Sequence, residues 1–277
     1  MKMGFIGQGW IGKNYADDFE ERGFQVVRYG LEPELALNKG TIAECGIVFI
    51  AVPTPTRPDT GFDASIVESA ITLVGEGRIA VIKSTIVPGT TDALQKRFPH
   101  CFLIHAPEFL TKKTAAHDAR HPTRNIIGVT DVSRDKAQEV LDVLPKAPYE
   151  AVLPARAAEL IKYASNVFLT TKVIFANLFY DISQTLGVDY EEVKKALIAD
   201  PRVGSTHLDV SHDGGRGAGG MCFIKDLAAF RQWVEDGGWG DTSRVLRELE
   251  AYNLSLLRGS GKNLDAIQDV YGTRSDS

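Results

Sequence analysis

The sequence predicts an α/β protein in two parts: a doubly wound parallel sheet, then an all-helical domain built around one long central helix. Three observations carry this expectation. Short apolar runs alternate with helical patterns as far as Leu153, as parallel strands joined by crossover helices do. One of the turns between them reads Gly7-Gln8-Gly9-Trp10-Ile11-Gly12, with an apolar strand before it and a helical pattern after it. Ala155 to Leu186 then runs without a glycine or proline and ends at Gly187, a residue suited to a helix C-terminus.

Lys2 to Ile6 is the first strand, and the helical pattern after the glycine turn continues through Tyr15, Phe19 and Arg22. In that setting the glycines form a dinucleotide-binding fingerprint and the sheet is Rossmann-like. Gly7 permits the tight turn, Gly9 lets a pyrophosphate approach the backbone, and Gly12 lets helix and strand pack closely. The helix N-terminus attracts the anion. The plain alternative is a glycine-rich turn without a ligand. Gln25 to Tyr29 is the second strand. A NAD site usually closes this strand with an acid for the ribose hydroxyls. Tyr29 or Gly30 stands there, with Glu32 and Glu34 close behind as substitutes, and Arg28 leaves NADP open as the alternative cofactor.

Ile47 to Val52 is an unbroken apolar strand, as in a sheet covered on both faces. Pro53-Thr54-Pro55-Thr56 stops it at the carboxyl end, where such sheets bind ligands. Ile79 to Lys83 follows, ended by Ser84-Thr85. Phe102 to His105 is ended by Ala106-Pro107-Glu108-Phe109-Leu110, and Arg124 to Val129 and Glu150 to Leu153 complete the sheet. Helices are expected near 65–74, 90–97 and 134–144. Thr85 and Glu108, at successive strand ends, point into one crevice. Otherwise Thr85 caps a helix and Glu108 faces water.

At 32 residues the long helix is a rod of roughly 48 Å. It is apolar on almost every face, so it should be buried in a large core or between two chains. Lys162 and Asn166 interrupt it at i and i+4 and share a face that Glu159 borders. A lysine there is costly unless something compensates it, or else it snorkels to solvent. Asp189 then N-caps a helix over 190–199 with Glu192 at the capping-box position. Asp200-Pro201-Arg202-Val203-Gly204 breaks that helix. A glycine-rich loop from Asp213 to Gly220 leads to Cys222 and to a helix expected over Lys225–Val234. Such a loop bends freely or touches a ligand. A cysteine at a helix start is favoured as the thiolate, although a lone cysteine is more commonly an inert apolar filler. The remaining helices, through Trp233 and over 243–257, serve packing, and the polar stretch after Gly259 reads as a fraying tail. The division expected is 1–154 for dinucleotide binding, 155–260 for a helical dimerisation and catalytic domain, and 261–277 for the tail.

Composition narrows the functional classes. The 277 residues are 44% hydrophobic and 24% charged, ordinary for a globular protein. A net charge of −5 argues against phosphate-backbone binding, so no nucleic-acid partner is expected. Three widely spaced cysteines, Cys45, Cys101 and Cys222, suit a reducing compartment. No metal-ligand pattern stands out, and the six histidines share no spacing. The N-terminal apolar run is too short for a signal peptide and no run reaches spanning length, so a cytoplasmic protein without a membrane partner is expected.

Taken together, GQGWIG, AVPTPT, KSTIVPGTT, APEFL, ELIKYASN, DPRVG and GGMCFIKD, in that order, resemble the UDP-glucose/GDP-mannose dehydrogenase family through about Leu257. Members oxidise a sugar 6-hydroxyl to the carboxylate with two NAD molecules. The resemblance implies that Cys222 is the nucleophile with Asp226 as its partner carboxylate. Lys162 and Asn166 would be the oxyanion-stabilising pair, and Thr85 and Glu108 would orient water and substrate. It places the cofactor at Gly7, Gly9, Trp10, Ile11, Gly12, Val52, Pro53, Thr54 and Thr85, and the substrate at Glu108, Phe109, Leu110, Gly219, Gly220 and Arg202, the last reaching a neighbouring subunit's site. A homodimer through the 155–186 helix is expected.

Three departures stand out. Lys112 replaces the family's usual second glutamate, four residues after Glu108. The segment before Ile47 is short, on the adenosine-ribose side. The family's third, nucleotide-binding domain is expected to be missing, which leaves room for a smaller sugar or a completing partner. Two other readings stay open: a two-electron 3-hydroxyacid-type dehydrogenase, which shares the lysine–asparagine helix, and a non-catalytic NAD-binding partner subunit.

Overall fold

A computed structural model describes residues 1–272, so the last five residues of the expected tail lie outside the described residues. The chain forms two compact units: Met1–Thr54 with Asp63–Lys162, and Pro55–Phe62 with Tyr163–Ser277. In chain order the elements are β1 (Lys2–Ile6), α1 (Trp10–Glu21), β2 (Gln25–Tyr29), α2 (Pro33–Ala36), a 3-10 stretch (Leu37–Glu44) and β3 (Ile47–Ile50). The short β4 (Thr56–Arg57) and β5 (Gly61–Phe62) follow, then α3 (Ser65–Ile71), β6 (Ile79–Ile82), α4 (Thr90–Arg97), β7 (Phe102–His105), α5 (Ala115–Arg120) and β8 (Arg124–Val129). A 3-10 turn (Arg134–Lys136), α6 (Ala137–Val143) and β9 (Tyr149–Pro154) lead into α7 (Ala155–Leu186). After α7 come α8 (Tyr190–Ile198), β10 (Ser211–His212), β11 (Gly215–Arg216), α9 (Gly220–Asp236), α10 (Gly240–Gly259) and α11 (Leu264–Tyr271).

The first unit is built on a seven-stranded sheet ordered β2-β1-β3-β6-β7-β8-β9. The order reverses at β1, the position at which open α/β sheets leave a ligand crevice. Register sets one row, Tyr29–Ile6–Ile50–Ile82–His105, across the carboxyl ends of five parallel strands. The segments that follow those strands therefore start from one edge. β3 and β6 are buried at every position, which explains why they read as continuous apolar runs. One pairing departs from the expected parallel sheet: β8 runs antiparallel to β7, with His105 opposite Gly128. The connection after β7 delivers the chain to β8 at the carboxyl edge, so β8 must run back. Phe5, Phe19 and Phe49 centre the core, with ring centroids 5.0–5.2 Å apart.

Several helices differ from the sequence reading in this unit. The helix expected over 134–144 is a 3-10 turn followed by α6, α5 was not foreseen, and the helix from Ser65 stops at Ile71 rather than at Val74.

In the second unit the rest of α7 carries small clusters: Ala176 with Tyr190 and Leu208, and Val167 with Leu227, Val234 and Leu246. Ile224, Ala228 and Leu257 pack with Ile267 and Val270 of α11. The stretch read as a fraying tail thus contributes a helix to the core. The core of one chain does not bury the long helix on all sides: Phe168, Phe175, Leu178, Phe179, Ile182 and Leu186 are exposed in the single chain. Among the described residues no helix is long and apolar enough to cross a membrane, and no group of three or more His, Cys, Asp or Glu is placed to hold a metal ion.

Candidate active site

In the first unit the three glycines of the β1–α1 turn have separate reasons to be glycine. Gly7 adopts φ 87°, and a Cβ there would lie 2.3 Å from the Ala51 carbonyl oxygen. A Cβ on Gly12 would meet the Gly7 carbonyl oxygen at 1.9 Å. A Cβ on Gly9 would meet no atom within 4 Å. Packing thus explains Gly7 and Gly12, while Gly9 faces open space at the N-terminus of α1. That helix has no side-chain cap and no acid in its first turn, where Trp10 and Ile11 sit. Uncapped N–H groups, a positive helix end and an open backbone fit a dinucleotide pyrophosphate.

On the adenosine side, the Arg28 guanidinium is paired with Asp17 at 2.7 Å and Glu20 at 2.8 Å, and reaches Gln8 Oε1 at 3.4 Å. Glu32 folds back so that its Oε2 lies 2.3 Å from where a Gly30 Cβ would be. A cation already held by two acids, with a further carboxylate nearby, favours ribose hydroxyls over a 2′-phosphate. At the neighbouring strand ends, the Val52 N–H donates to Ser84 Oγ (3.0 Å), which donates back to the Val52 carbonyl (2.7 Å). Thr54 is buried, Pro53 exposed, and Thr85 half-buried between β6 and α4. Thr85 is not the cap of α4; that position is Gly89.

Lys162 does not snorkel. It is 6% exposed, and its ammonium donates to the Glu108 carbonyl at 2.7 Å and to Glu108 Oε1 at 2.9 Å. The other carboxylate oxygen of Glu108, itself 4% exposed, accepts the Leu110 N–H at 2.7 Å. Glu108 therefore does not face water, and Phe109 lies beside it with its ring centre 5.6 Å from the Lys162 ammonium. One turn back on α7, the fully buried Glu159 accepts from Gly89 N–H (2.6 Å), Thr91 N–H (2.7 Å) and the Thr91 hydroxyl (2.6 Å). Burial pushes this carboxyl up, and the Thr91 and Gly89 donors pull it back. Sequence reasoning placed Glu159 on the right face without seeing that it caps α4, a partnership spanning about seventy residues of chain.

In the second unit Asn166, 9% exposed, donates to Asp226 Oδ2 at 2.6 Å, and Asp226, 1% exposed, also takes Lys225 at 2.5 Å. α9 begins five residues earlier than expected, so Cys222 lies inside its first turn. Its thiol is exposed, and a helix N-terminus favours the thiolate there. Arg202 is exposed and pairs locally with Asp200.

The glycine-rich loop is held by residues that sequence reasoning did not single out. Asn253 accepts from the Ala218 N–H at 2.7 Å and donates to its carbonyl at 3.0 Å. Lys262 donates to the Gly217 carbonyl at 3.0 Å, and Asn263 accepts from the Gly220 N–H at 2.9 Å. A Cβ on Gly219 would fall 2.3 Å from the Asn263 amide oxygen. Two of these clamps come from the stretch read as tail. The apolar spacing Leu264, Ile267, Val270, Tyr271 was the signal that this stretch folds.

Comparison with known proteins adds a separate line of observation. Residues 34–144 match the NAD binding domain, and residues 156–254 the central domain, of the UDP-glucose/GDP-mannose dehydrogenase family. A UDP-glucose 6-dehydrogenase of Pseudomonas aeruginosa is 34% identical over 91% of this chain and 65% of its own length. The structure of a UDP-glucose dehydrogenase from Pyrobaculum islandicum is 31% identical, with a TM-score of 0.79 over 91% of this chain and 68% of that one. The fold is also similar to a 3-hydroxyisobutyrate dehydrogenase of Mycobacterium tuberculosis, at 16% identity and a TM-score of 0.70, covering 92% of this chain and 95% of that one. The chain spans less than two thirds of the length of curated relatives that it matches, 47% in a Bacillus subtilis relative.

Proposed function

Because the chain belongs to the UDP-glucose/GDP-mannose dehydrogenase family, we propose that it is an NAD-dependent oxidoreductase taking the primary alcohol of a nucleotide-sugar, or of a smaller sugar, to the carboxylate. The observation that carries this reading is Cys222, an exposed thiol in the first turn of α9, four residues before the buried Asp226. A single alcohol oxidation has no use for that thiol; a double one does.

NAD, when bound at the Gly7–Gly12 turn, supplies the hydride acceptor for both oxidations. Asp226, directly or through water, accepts the hydroxyl proton of the substrate. Lys162 and Asn166 donate to the oxygen on which charge develops. An aldehyde has no second hydride to lose until a nucleophile adds. The Cys222 thiolate adds to the carbonyl carbon and gives a thiohemiacetal. Loss of the second hydride leaves a thioester, which a water oriented by Glu108 and Thr85 cleaves to the carboxylate, returning the thiol. In this reading residues 1–154 serve the cofactor, residues 155–260 the chemistry and chain pairing, and Arg202 a neighbouring subunit. A homodimer would cover the exposed apolar side chains from Phe168 to Leu186, whose spacing places them along one stripe of α7.

The test is a panel of UDP-sugars, GDP-sugars and simple sugars, counting NADH formed per product. Two per carboxylate supports the thioester route, and one per product removes it. Cys222→Ala should abolish acid formation here, yet leave a 3-hydroxyacid-type dehydrogenase nearly untouched. Tight NAD binding with no reduction on any sugar would favour the non-catalytic subunit instead.

A further inference from the structure

A cavity of about 260 Å³ lies wholly within the first unit. Its walls include Tyr15 of α1, Lys83 just past β6, Phe109, Asp118 and His121 at α5, and Arg124 at the start of β8. A single water needs roughly 10–15 Å³ by the same kind of measure, so one bound water does not account for the space. None of the cofactor residues named above lines it, nor do Thr85, Glu108 or Lys162; it shares only Phe109 and Leu110 with the candidate site.

One buried cation in this wall, Lys83, has no carboxylate in direct contact among the described residues. Lys83 is 4% exposed, and its ammonium has one hydrogen bond, to the Ala106 carbonyl at 3.2 Å, and lies 4.3 Å from the centre of the Tyr15 ring. It pairs with no carboxylate among the described residues. A buried ammonium keeps its charge at a cost unless an anion meets it. A second cation, Arg124, is half-buried with its guanidinium carbon 3.7 Å from the centre of the Phe109 ring. The one acid in the printed lining, Asp118, is turned to its own loop: Oδ2 accepts from the Thr111 N–H at 2.9 Å and the Thr114 hydroxyl at 2.8 Å.

We propose that this cavity binds a small molecule bearing an oxyanion, a carboxylate or a phosphate, recognised by Lys83 and Arg124. The proposal is independent of the oxidation reading, since it needs neither Cys222 nor substrate turnover. Occupancy would bear on the candidate site through Leu110, which lines the cavity and donates its N–H to Glu108.

The experiment titrates the full chain, in chloride buffer with saturating NAD so that the dinucleotide turn is filled. Inorganic phosphate is added in one arm and malonate in the other, with sodium chloride at matched ionic strength as control. Melting temperature and calorimetric heat are followed. A saturable rise in one or both arms, beyond the salt control, supports the proposal, and the responding arm identifies phosphate or carboxylate. The response should vanish in Lys83→Met and persist in Lys96→Met, an exposed lysine on α4. Arg124→Gln should weaken affinity roughly tenfold or more, the loss expected for one charge-assisted hydrogen bond. The proposal is overturned if neither ion acts beyond the salt control, or if Lys83→Met or Arg124→Gln responds as the parent does.

Discussion

Replacing Lys83 by Met removes a buried charge while keeping a long, adaptable side chain. Burial holds the Lys83 ammonium at about 8 against an ordinary 10.5, with Glu108 raising it and Lys162 lowering it. At about 1.36 kcal/mol per pH unit, that gap is a penalty of about 3 kcal/mol on the charged form. The variant also loses the bond to the Ala106 carbonyl, worth roughly 1 kcal/mol net. In the absence of an anion, Lys83→Met should therefore be more stable than the parent by about 2 kcal/mol near neutral pH. The folded value lies below the unfolded one, so between about 8 and 10.5 the unfolded parent binds more protons, and its stability rises with pH. Below about 8 both states are protonated and the whole penalty stands. Urea denaturation in phosphate-free chloride buffer, at neutral pH and at pH values approaching 10.5, reads the difference. The advantage of the variant should shrink, then disappear, as pH rises. A variant less stable than the parent at neutral pH, or an advantage that ignores pH, would refute the reasoning.

Glu159→Ala leaves the buried N–H and hydroxyl of Thr91 and the half-buried N–H of Gly89, at the start of α4, without their acceptor. The expected loss is about 2–5 kcal/mol by chemical denaturation, with Glu159→Gln losing less because it keeps one acceptor oxygen. An unchanged midpoint for the Ala variant would remove the capping role. Asn253→Ala cuts both ties to Ala218 and should raise amide exchange across the 213–220 loop while the exchange of β3 and β6 stays as it was; equal protection of the loop in both proteins would count against the clamp. Phe175→Glu places a charge on the exposed apolar stripe of α7. If that stripe is the pairing surface, light scattering should find the parent dimeric and the variant monomeric, and a monomeric parent would dispose of the idea.

What the sequence made legible was local. The β1–α1 turn could be read because its strand, its glycines and its helix are adjacent, and two of the glycines, Gly7 and Gly12, answer to a neighbour just across the sheet or a few residues away. The direction of β8 could not be read: a strand covered on both faces is apolar throughout and looks the same run either way. α5, only six residues long, is too short for a helical period to show. The clamps on the glycine loop were hidden because Lys262 and Asn263 look like surface residues until α11 folds behind them.

The polar interruptions of α7 are the instructive case. Glu159, Lys162 and Asn166 stand at i, i+3 and i+7 of an otherwise apolar helix, and burying any of them alone would cost several kcal/mol. Within the first unit Glu159 meets residues 89–91 and Lys162 meets Glu108; within the second, Asn166 meets Asp226. Every partner lies more than fifty residues away along the chain. Spacing on the helix could say that these three share a face and need compensation, but not which distant group supplies it. The resemblance named Glu108 and Asp226 as members of the same site, but it offered nothing for Glu159, whose partner is backbone. Backbone N–H groups carry no signature in the sequence, so a carboxylate that caps a distant helix is visible only as an unexplained polar residue on a buried face, and that is the pattern to look for in related long helices.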